Sequence, residues 1–139
     1  MTLFTIALAA GTYSWLGIPF NSISRLGPMV VFVVAIADGI HIASVYTQGL
    51  ARGLRDNDAM LESLKINFVP VTVATITTTM GFLSLNFSSS PAIYGFGNVI
   101  ALGVLWAFVL TFTLLPGLIL FPGWILSLIH ISEPTRLAT

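Results

Sequence analysis

The chain alternates between long apolar runs and short polar segments. Four runs are long enough to cross a bilayer, since one spanning helix needs about 20 residues. The predicted spans are residues 3–20, 29–50, 68–87 and 94–121. Because these spans take up most of the 139 residues, the pattern predicts an all-α polytopic membrane protein without a soluble domain.

The segments that connect the runs differ in charge. Residues 21–27 hold only Arg25, whereas residues 51–67 hold six charged side chains. These six are Arg52, Arg55, Asp56, Asp58, Glu62 and Lys65. Three basic residues on one side against one on the other predict that loop 51–67 is cytoplasmic. Its apolar residues predict a short helix lying at the membrane interface.

The composition excludes several classes of protein. Hydrophobic residues make up 56% of the chain and charged residues 7%, against about 25% charged in soluble domains. The net charge is zero and no basic cluster occurs, so we expect no nucleic-acid partner. The chain has no cysteine, which excludes disulfides and thiolate metal sites. We expect neither enzymatic activity nor a metal or organic cofactor.

Asp38 is the candidate functional residue, because it is a lone carboxylate inside the second apolar run. At about 1.5 Å per helical residue it lies about 15 Å from Pro28, near the bilayer midplane. An ionisable group there costs roughly 2.5–3.5 kcal/mol on insertion scales and usually marks an ion or proton path. His41 lies three residues on, on the same helical face.

Three interpretations of Asp38 compete. It could be a structural residue that is hydrogen-bonded or ion-paired, a proton carrier, or part of a metal or catalytic site. An intramembrane aspartyl protease needs a second aspartate, and a zinc site needs three or four ligands. Proton carriage by Asp38, with His41 as a relay, is therefore the leading hypothesis. A histidine that only packs and donates a hydrogen bond is the alternative for His41.

The third run is rich in hydroxyl groups. Thr72, Thr75 and Thr79 share one face and Thr78 adjoins it. With Asn98 of the last run, Thr75, Thr78 and Thr79 form a predicted polar seam opposite Asp38. The alternatives are threonines bonded to their own helix and an asparagine that links two helices.

Small residues predict close helix–helix contacts. The last run contains Gly95, Gly97 and Gly103, and the first run contains small residues four apart, such as Ala7 and Gly11. Such spacing lets helix backbones approach each other in a membrane. The pattern favours a bundle and carries no chemistry.

The end of the chain has a different character. Residues 126–136 resemble an in-frame translation of a common transposase sequencing adaptor. We therefore expect the natural sequence to stop near Ile125 and residues 126–139 to be a non-native tail. A short amphipathic tail is the alternative.

Several segments resemble the resistance–nodulation–division (RND) exporters, most closely the MMPL-like and sterol-sensing-domain branch. The resemblance covers about residues 3–122, in four segments. These are Leu16-Gly-Ile-Pro-Phe-Asn21, Ile36-Ala-Asp-Gly-Ile-His41, residues 70–85 beginning Pro-Val-Thr-Val-Ala-Thr, and Gly95-Phe-Gly97 with Leu114-Leu-Pro116. It implies that the chain holds the third to sixth helices of a six-helix RND half-bundle, with other parts missing on both sides.

The resemblance also implies a function. Asp38 occupies the position of the family's proton-relay carboxylate, with the proton as coupling ion. We expect an exporter of hydrophobic or amphipathic, lipid-like substrates, driven by the proton-motive force. The alternatives are a lipid- or sterol-sensing domain without transport and an accessory subunit of protein translocation. The expected location is the inner membrane of a bacterium. The expected partners are the lipid bilayer, the missing remainder of the same polypeptide and a second copy in a homo-oligomer.

Overall fold

Four α-helices make up most of the protein. The computed structural model describes the backbone of residues 1–17 and 21–131 and the side chains of residues 1–17 and 21–122. The helices are α1 (Thr2–Trp15), α2 (Gly27–Ala51), α3 (Asp56–Leu83) and α4 (Pro91–Ile131), with single 3₁₀ turns at Ser24–Leu26 and Ser84–Phe87. The described residues contain no strand, which confirms the all-α prediction.

Three segments have the length and apolar composition needed to cross a bilayer. They are Ser24–Ala51, Asp56–Phe87 and Pro91–Pro122. Helix α1 has 14 residues, shorter than the span predicted at 3–20, whose last three residues lie outside the described part. Helix α4 continues into the predicted tail at 126–139. The side chains of that tail also lie outside the described part of the chain.

Helix α2 faces its neighbours with a narrow stripe of mostly small residues. Pro28 occupies the first turn, where its missing N–H is harmless. The stripe recurs every three, four or seven positions, as expected for one face of a helix. It consists of Gly27, Val31, Ala35, Asp38, Ile42 and Gly49. Asp38 therefore lies among the packed residues of α2.

The corner between α2 and α3 is shorter than predicted. Only four residues, 52–55, separate the helices, and Gly53 makes the turn at φ +87°. The prediction of a separate interfacial helix within 51–67 is wrong, because α3 starts at Asp56 and continues without a break. Glu62 and Lys65 are good helix formers, and Asp56 and Asp58 lie in the first turn, where the helix dipole favours acidic groups.

Two ion pairs tie this corner together at its surface. Arg52 donates to Glu62 at 2.6 Å, and Arg55 donates to Asp58 at 3.2 Å. Beneath them the backbones come close, since a Cβ built on Gly49 would lie 3.0 Å from the Cβ of Ala59. The two helices are therefore held together firmly at this end.

Helix α4 packs against α2 through glycine. A Cβ on Gly27 would lie 2.6 Å from a methyl group of Val99, and a Cβ on Gly103 would overlap the side chain of Val31. Because glycine has no side chain, the two helices approach each other closely at both positions.

The other two glycines predicted to pack also lie at close contacts. A Cβ on Gly97 would overlap the carbonyl oxygen of Phe82, where α3 ends against α4. Helix α1 contacts α4 at Gly95, where the Tyr13 hydroxyl donates to the Gly95 carbonyl oxygen at 3.3 Å. All three predicted glycines therefore lie at points of helix contact.

The small residues of α1 do not pack as predicted. Ala7 and Gly11 are exposed, as are Ala10 and Ser14, and the buried face is formed by Thr5, Ala9 and Tyr13. The prediction for α1 was wrong because small residues occur on both faces of this helix, so their spacing does not select one. The large Tyr13, which is 1% exposed, decides which face packs.

Candidate functional site

The site is centred on Asp38, halfway along α2. Asp38 is 8% exposed, and it lies on the packed stripe of the helix one turn from Ala35 and one turn from Ile42. Its Oδ2 atom is buried and accepts no hydrogen bond from any described residue. No described basic side chain lies within ion-pair distance of its carboxylate. A buried acid without a partner is costly, which makes it a functional candidate.

A cavity of about 470 Å³ opens beside this carboxylate, between α2 and α3. Val33, Val34, Ala37, Asp38 and His41 line it on the α2 side. Asn67, Pro70, Val71 and Ala74 line it on the α3 side. The walls are apolar except for one carboxylate, one imidazole and one amide. The cavity is large enough to hold water or a polar side chain from another helix.

His41 lies in the same cavity as Asp38, as the three-residue spacing predicted. Its side chain is exposed and lines the cavity. Its backbone carbonyl oxygen accepts a hydrogen bond from Asn67 Nδ2 at 3.4 Å. The imidazole can therefore reach the cavity, while the backbone below it is held by α3.

Sequence reasoning missed Ser63 and Asn67, which fix one end of the cavity. The Ser63 hydroxyl, which is fully buried, donates to the carbonyl oxygen of Ile42 at 2.6 Å. Asn67 lies one turn further along α3 and bonds both Ser63 and the His41 carbonyl oxygen. Their spacing of four residues was the available signal, but loop 51–67 was expected to be a separate segment. We call Ser63 and Asn67 the polar clamp.

The structure divides the predicted threonine seam. Thr75 and Thr79 are buried on the same stripe of α3 as Ser63 and Asn67, and Thr78 is partly buried. None of the three lines the cavity at Asp38. The seam opposite Asp38 is therefore wrong in this respect, since α3 presents Asn67, Pro70, Val71 and Ala74 there. One turn of offset along α3 separates the two sets, and hydroxyl content alone cannot resolve that offset.

Thr79 and Asn98 instead share a second cavity, of about 360 Å³, among α1, α3 and α4. Asn98 also forms two reciprocal amide hydrogen bonds with Asn86, each 3.0 Å long. These bonds join the 3₁₀ turn after α3 to the start of α4. This geometry fits the interpretation of Asn98 as a residue that links two helices.

Pro70 lies inside α3, fourteen residues after its first residue, because the helix begins at Asp56, twelve residues before the predicted span. Proline has no N–H to donate to the carbonyl four residues before it. The interruption falls on the wall of the Asp38 cavity.

Metal binding finds no support among the described residues. They contain no group of three or more histidine, aspartate or glutamate side chains placed to hold one ion. The site therefore holds one buried carboxylate and one imidazole in the same cavity.

Comparisons with known proteins agree with the geometry. The model of the MMPL family matches residues 2–138. The chain is 28% identical over 117 residues to the predicted membrane protein MJ1562 of Methanocaldococcus jannaschii, covering 84% of this chain and 30% of that protein. It is 27% identical over 123 residues to the nickel and cobalt resistance protein CnrA of Cupriavidus metallidurans, covering 85% of this chain and 11% of CnrA.

The chain thus spans less than a third of each of these two relatives. No solved structure matches it. The family match extends over almost the whole chain and agrees with the apolar helices. The chain therefore belongs to the MMPL family, a family of the membrane-transporter type.

Proposed function

We propose that this chain is part of an exporter of hydrophobic or amphipathic, lipid-like substrates that is driven by the proton-motive force. Asp38 carries the coupling proton, and His41 relays it. The observation that supports this role is the buried Asp38 carboxylate, which has no partner among the described residues and adjoins a cavity. Membership of a transporter-type family supports the class of activity.

In this proposal the carboxylate alternates between two states. Asp38 takes a proton from the extracytoplasmic side, and neutralisation removes the cost of a charge within the membrane. The helices around the cavity then adopt a second arrangement, and release of the proton to the cytoplasm restores the first. A potential of 100 mV supplies about 2.3 kcal/mol per proton, enough to shift such an equilibrium by a factor of about 50.

The location of the cavity gives the proposal a direction. Loop 51–67, which we place in the cytoplasm of a bacterial inner membrane, lies at the end where the Arg52–Glu62 ion pair and the polar clamp join α2 to α3. We place the exit of the proton at that end, past His41 and Asn67.

The test uses the full-length gene that contains this chain, expressed in cells whose own export of the lipophilic dye Nile red has been deleted. Asp38→Asn keeps the size of the side chain and removes its titration, so we expect dye export to fall to the level of cells without the gene. Asp38→Glu keeps a titratable group, and we expect part of the activity to remain. Ser44→Ala is the matched control, an exposed polar residue on the same helix.

Two further results decide the matter. Export by the wild type must stop when an uncoupler collapses the proton gradient. If Asp38→Asn exports dye normally at equal expression, Asp38 does not carry the proton. If the wild-type protein binds a fluorescent lipid but export is indifferent to the gradient, the proposal fails and a sensing function takes its place.

A further inference from the structure

A second groove lies on the outer face of α3 and α4, away from Asp38. It has a volume of about 310 Å³, within the range of about 300–1,000 Å³ that small-molecule sites occupy. Its lining residues are Leu61, Leu64, Lys65, Phe68 and Phe112. We call it the Lys65 groove. Its wall is apolar, and one end carries a single cation.

Aromatic rings build the apolar part of this groove. Phe68 of α3 meets Phe112 of α4 edge to face, with ring centroids 5.4 Å apart. Phe108 completes the cluster at 5.0 Å from Phe112 and 6.3 Å from Phe68. These contacts fix the rings across the α3–α4 seam, so they form a wall that an acyl chain can lie against.

Lys65 differs from the other two cations at this end of the bundle. Arg52 is bound by Glu62 and Arg55 by Asp58, whereas no carboxylate among the described residues lies within ion-pair distance of Lys65. Its side chain is exposed. The ammonium group is therefore available to an anion from outside the bundle.

The position of Lys65 along α3 matches the boundary of a membrane. It is the last charged residue before an apolar and hydroxyl-bearing stretch that runs to Leu83 without a charge. Phe68 follows one turn later, about 4.5 Å deeper at 1.5 Å per residue. A lysine at such a boundary extends its ammonium group toward the lipid headgroups.

We propose that the Lys65 groove binds one anionic phospholipid, whose phosphate pairs with the Lys65 ammonium group while an acyl chain lies against Phe68 and Phe112. Charge complementarity selects the anionic headgroup, and the continuous apolar wall selects a lipid over a free phosphate ion. The site goes beyond proton transfer at Asp38 and does not depend on it.

The experiment uses the purified full-length protein in detergent, titrated with phosphatidylglycerol or with phosphatidylcholine and observed by native mass spectrometry. We expect the wild type to bind the first phosphatidylglycerol more tightly than phosphatidylcholine. Lys65→Gln should weaken the binding of phosphatidylglycerol about fivefold, which is the usual contribution of one basic residue near an anionic surface. It should leave phosphatidylcholine unchanged, and Lys65→Arg should restore the preference.

Two controls separate the parts of the site. Arg55→Gln removes a cation that is already paired and exposed, so it should not change the preference. Phe112→Ala should weaken both lipids equally, because it alters the wall and not the charge. An excess of inorganic phosphate should not displace the lipid.

Several outcomes would overturn the proposal. Equal binding of phosphatidylglycerol by wild type and Lys65→Gln would show that the groove is not an anionic-lipid site, as would an equal loss in Arg55→Gln. Displacement by inorganic phosphate would indicate a simple anion site. If the wild type is a dimer and the Phe68→Ser variant is a monomer, a second copy of the chain covers the groove and the proposal fails.

Discussion

Helix α2 packs in two different ways against its two main neighbours. Toward α4 it is close-packed, since glycine at 27 and 103 lets the backbones approach until a single added carbon would overlap a valine. Toward α3 it is close at Gly49 and Ala59 and at the hydrogen bonds of the polar clamp, and it then opens into a cavity of about 470 Å³ beside Asp38. One side of α2 is a fixed contact, and the other leaves room around an ionisable group.

The difference follows from which side chains the helices offer each other. On the α4 side the closest contacts join a glycine to a valine, Gly27 to Val99 and Gly103 to Val31, so they depend on shape and contain no directional bond. On α3 the packed stripe carries the polar residues Ser63, Asn67, Thr75 and Thr79, and the closest contacts are hydrogen bonds to α2 carbonyl groups. Directional bonds hold one end of this contact without filling the rest.

The largest expected effect is at the close-packed contact between α2 and α4. Gly103→Ala places a methyl group on the side chain of Val31, whose β-branched side chain has one preferred rotamer in a helix. We expect the full-length protein to lose about 1–3 kcal/mol of unfolding free energy. Thermal or SDS unfolding in detergent measures the loss.

Gly117→Ala is the matched control on the same helix, because a Cβ there would meet nothing within 4 Å. We expect it to be neutral or to add up to about 1 kcal/mol, since alanine is the better helix former. Equal losses for the two variants would contradict close packing at Gly103.

A smaller effect is expected at the polar clamp. Ser63→Ala removes the buried 2.6 Å hydrogen bond to the Ile42 carbonyl oxygen. We expect a loss of about 0.6 kcal/mol and at most about 1.7 kcal/mol, the average and the maximum measured for such bonds in one membrane protein. Thr77→Ala is the control, because its exposed hydroxyl donates only to carbonyl groups of its own helix. A Ser63 variant as stable as the Thr77 variant would show that the clamp does not hold α3 to α2.

The smallest effect is expected where the cavity lies. Asp38→Asn removes a charge that no described donor or cation compensates. Because the substitution removes the cost of a charge within the membrane, we expect the unfolding free energy to stay unchanged or to rise. The same unfolding assay measures it. A loss of several kcal/mol would reveal a structural partner on the rest of the polypeptide, and it would remove the contrast between the two sides of α2.

The sequence predicted the fold class well because hydrophobic length is a strong signal in membranes. It also predicted that Asp38 lies on an interior face, because an isolated carboxylate cannot face lipid without a large cost, and the structure buries this residue. The structure places His41 in the same cavity, as the helical period required. These inferences use length, charge and spacing, which need no partner helix.

The predictions that failed concern which neighbour a residue faces. Thr75 and Thr79 are buried as polar residues in a bundle should be, yet neither lines the Asp38 cavity, where α3 presents Asn67, Pro70, Val71 and Ala74. The predicted start of α3 is wrong because the charged residues at 56–65 indicate contact with water, which does not by itself end a helix. A helix can leave the membrane and continue.

Pro70 creates a point in α3 where the helix can bend more easily. On one side of it, Ser63 and Asn67 fasten the helix to α2; on the other side, α3 continues for thirteen residues to Leu83. The backbone hydrogen bond that proline cannot make is lost beside the Asp38 cavity, so bending costs less there than elsewhere in the helix. The segment of α3 after Pro70 can therefore change its tilt while the segment before Pro70 keeps its hydrogen bonds to α2.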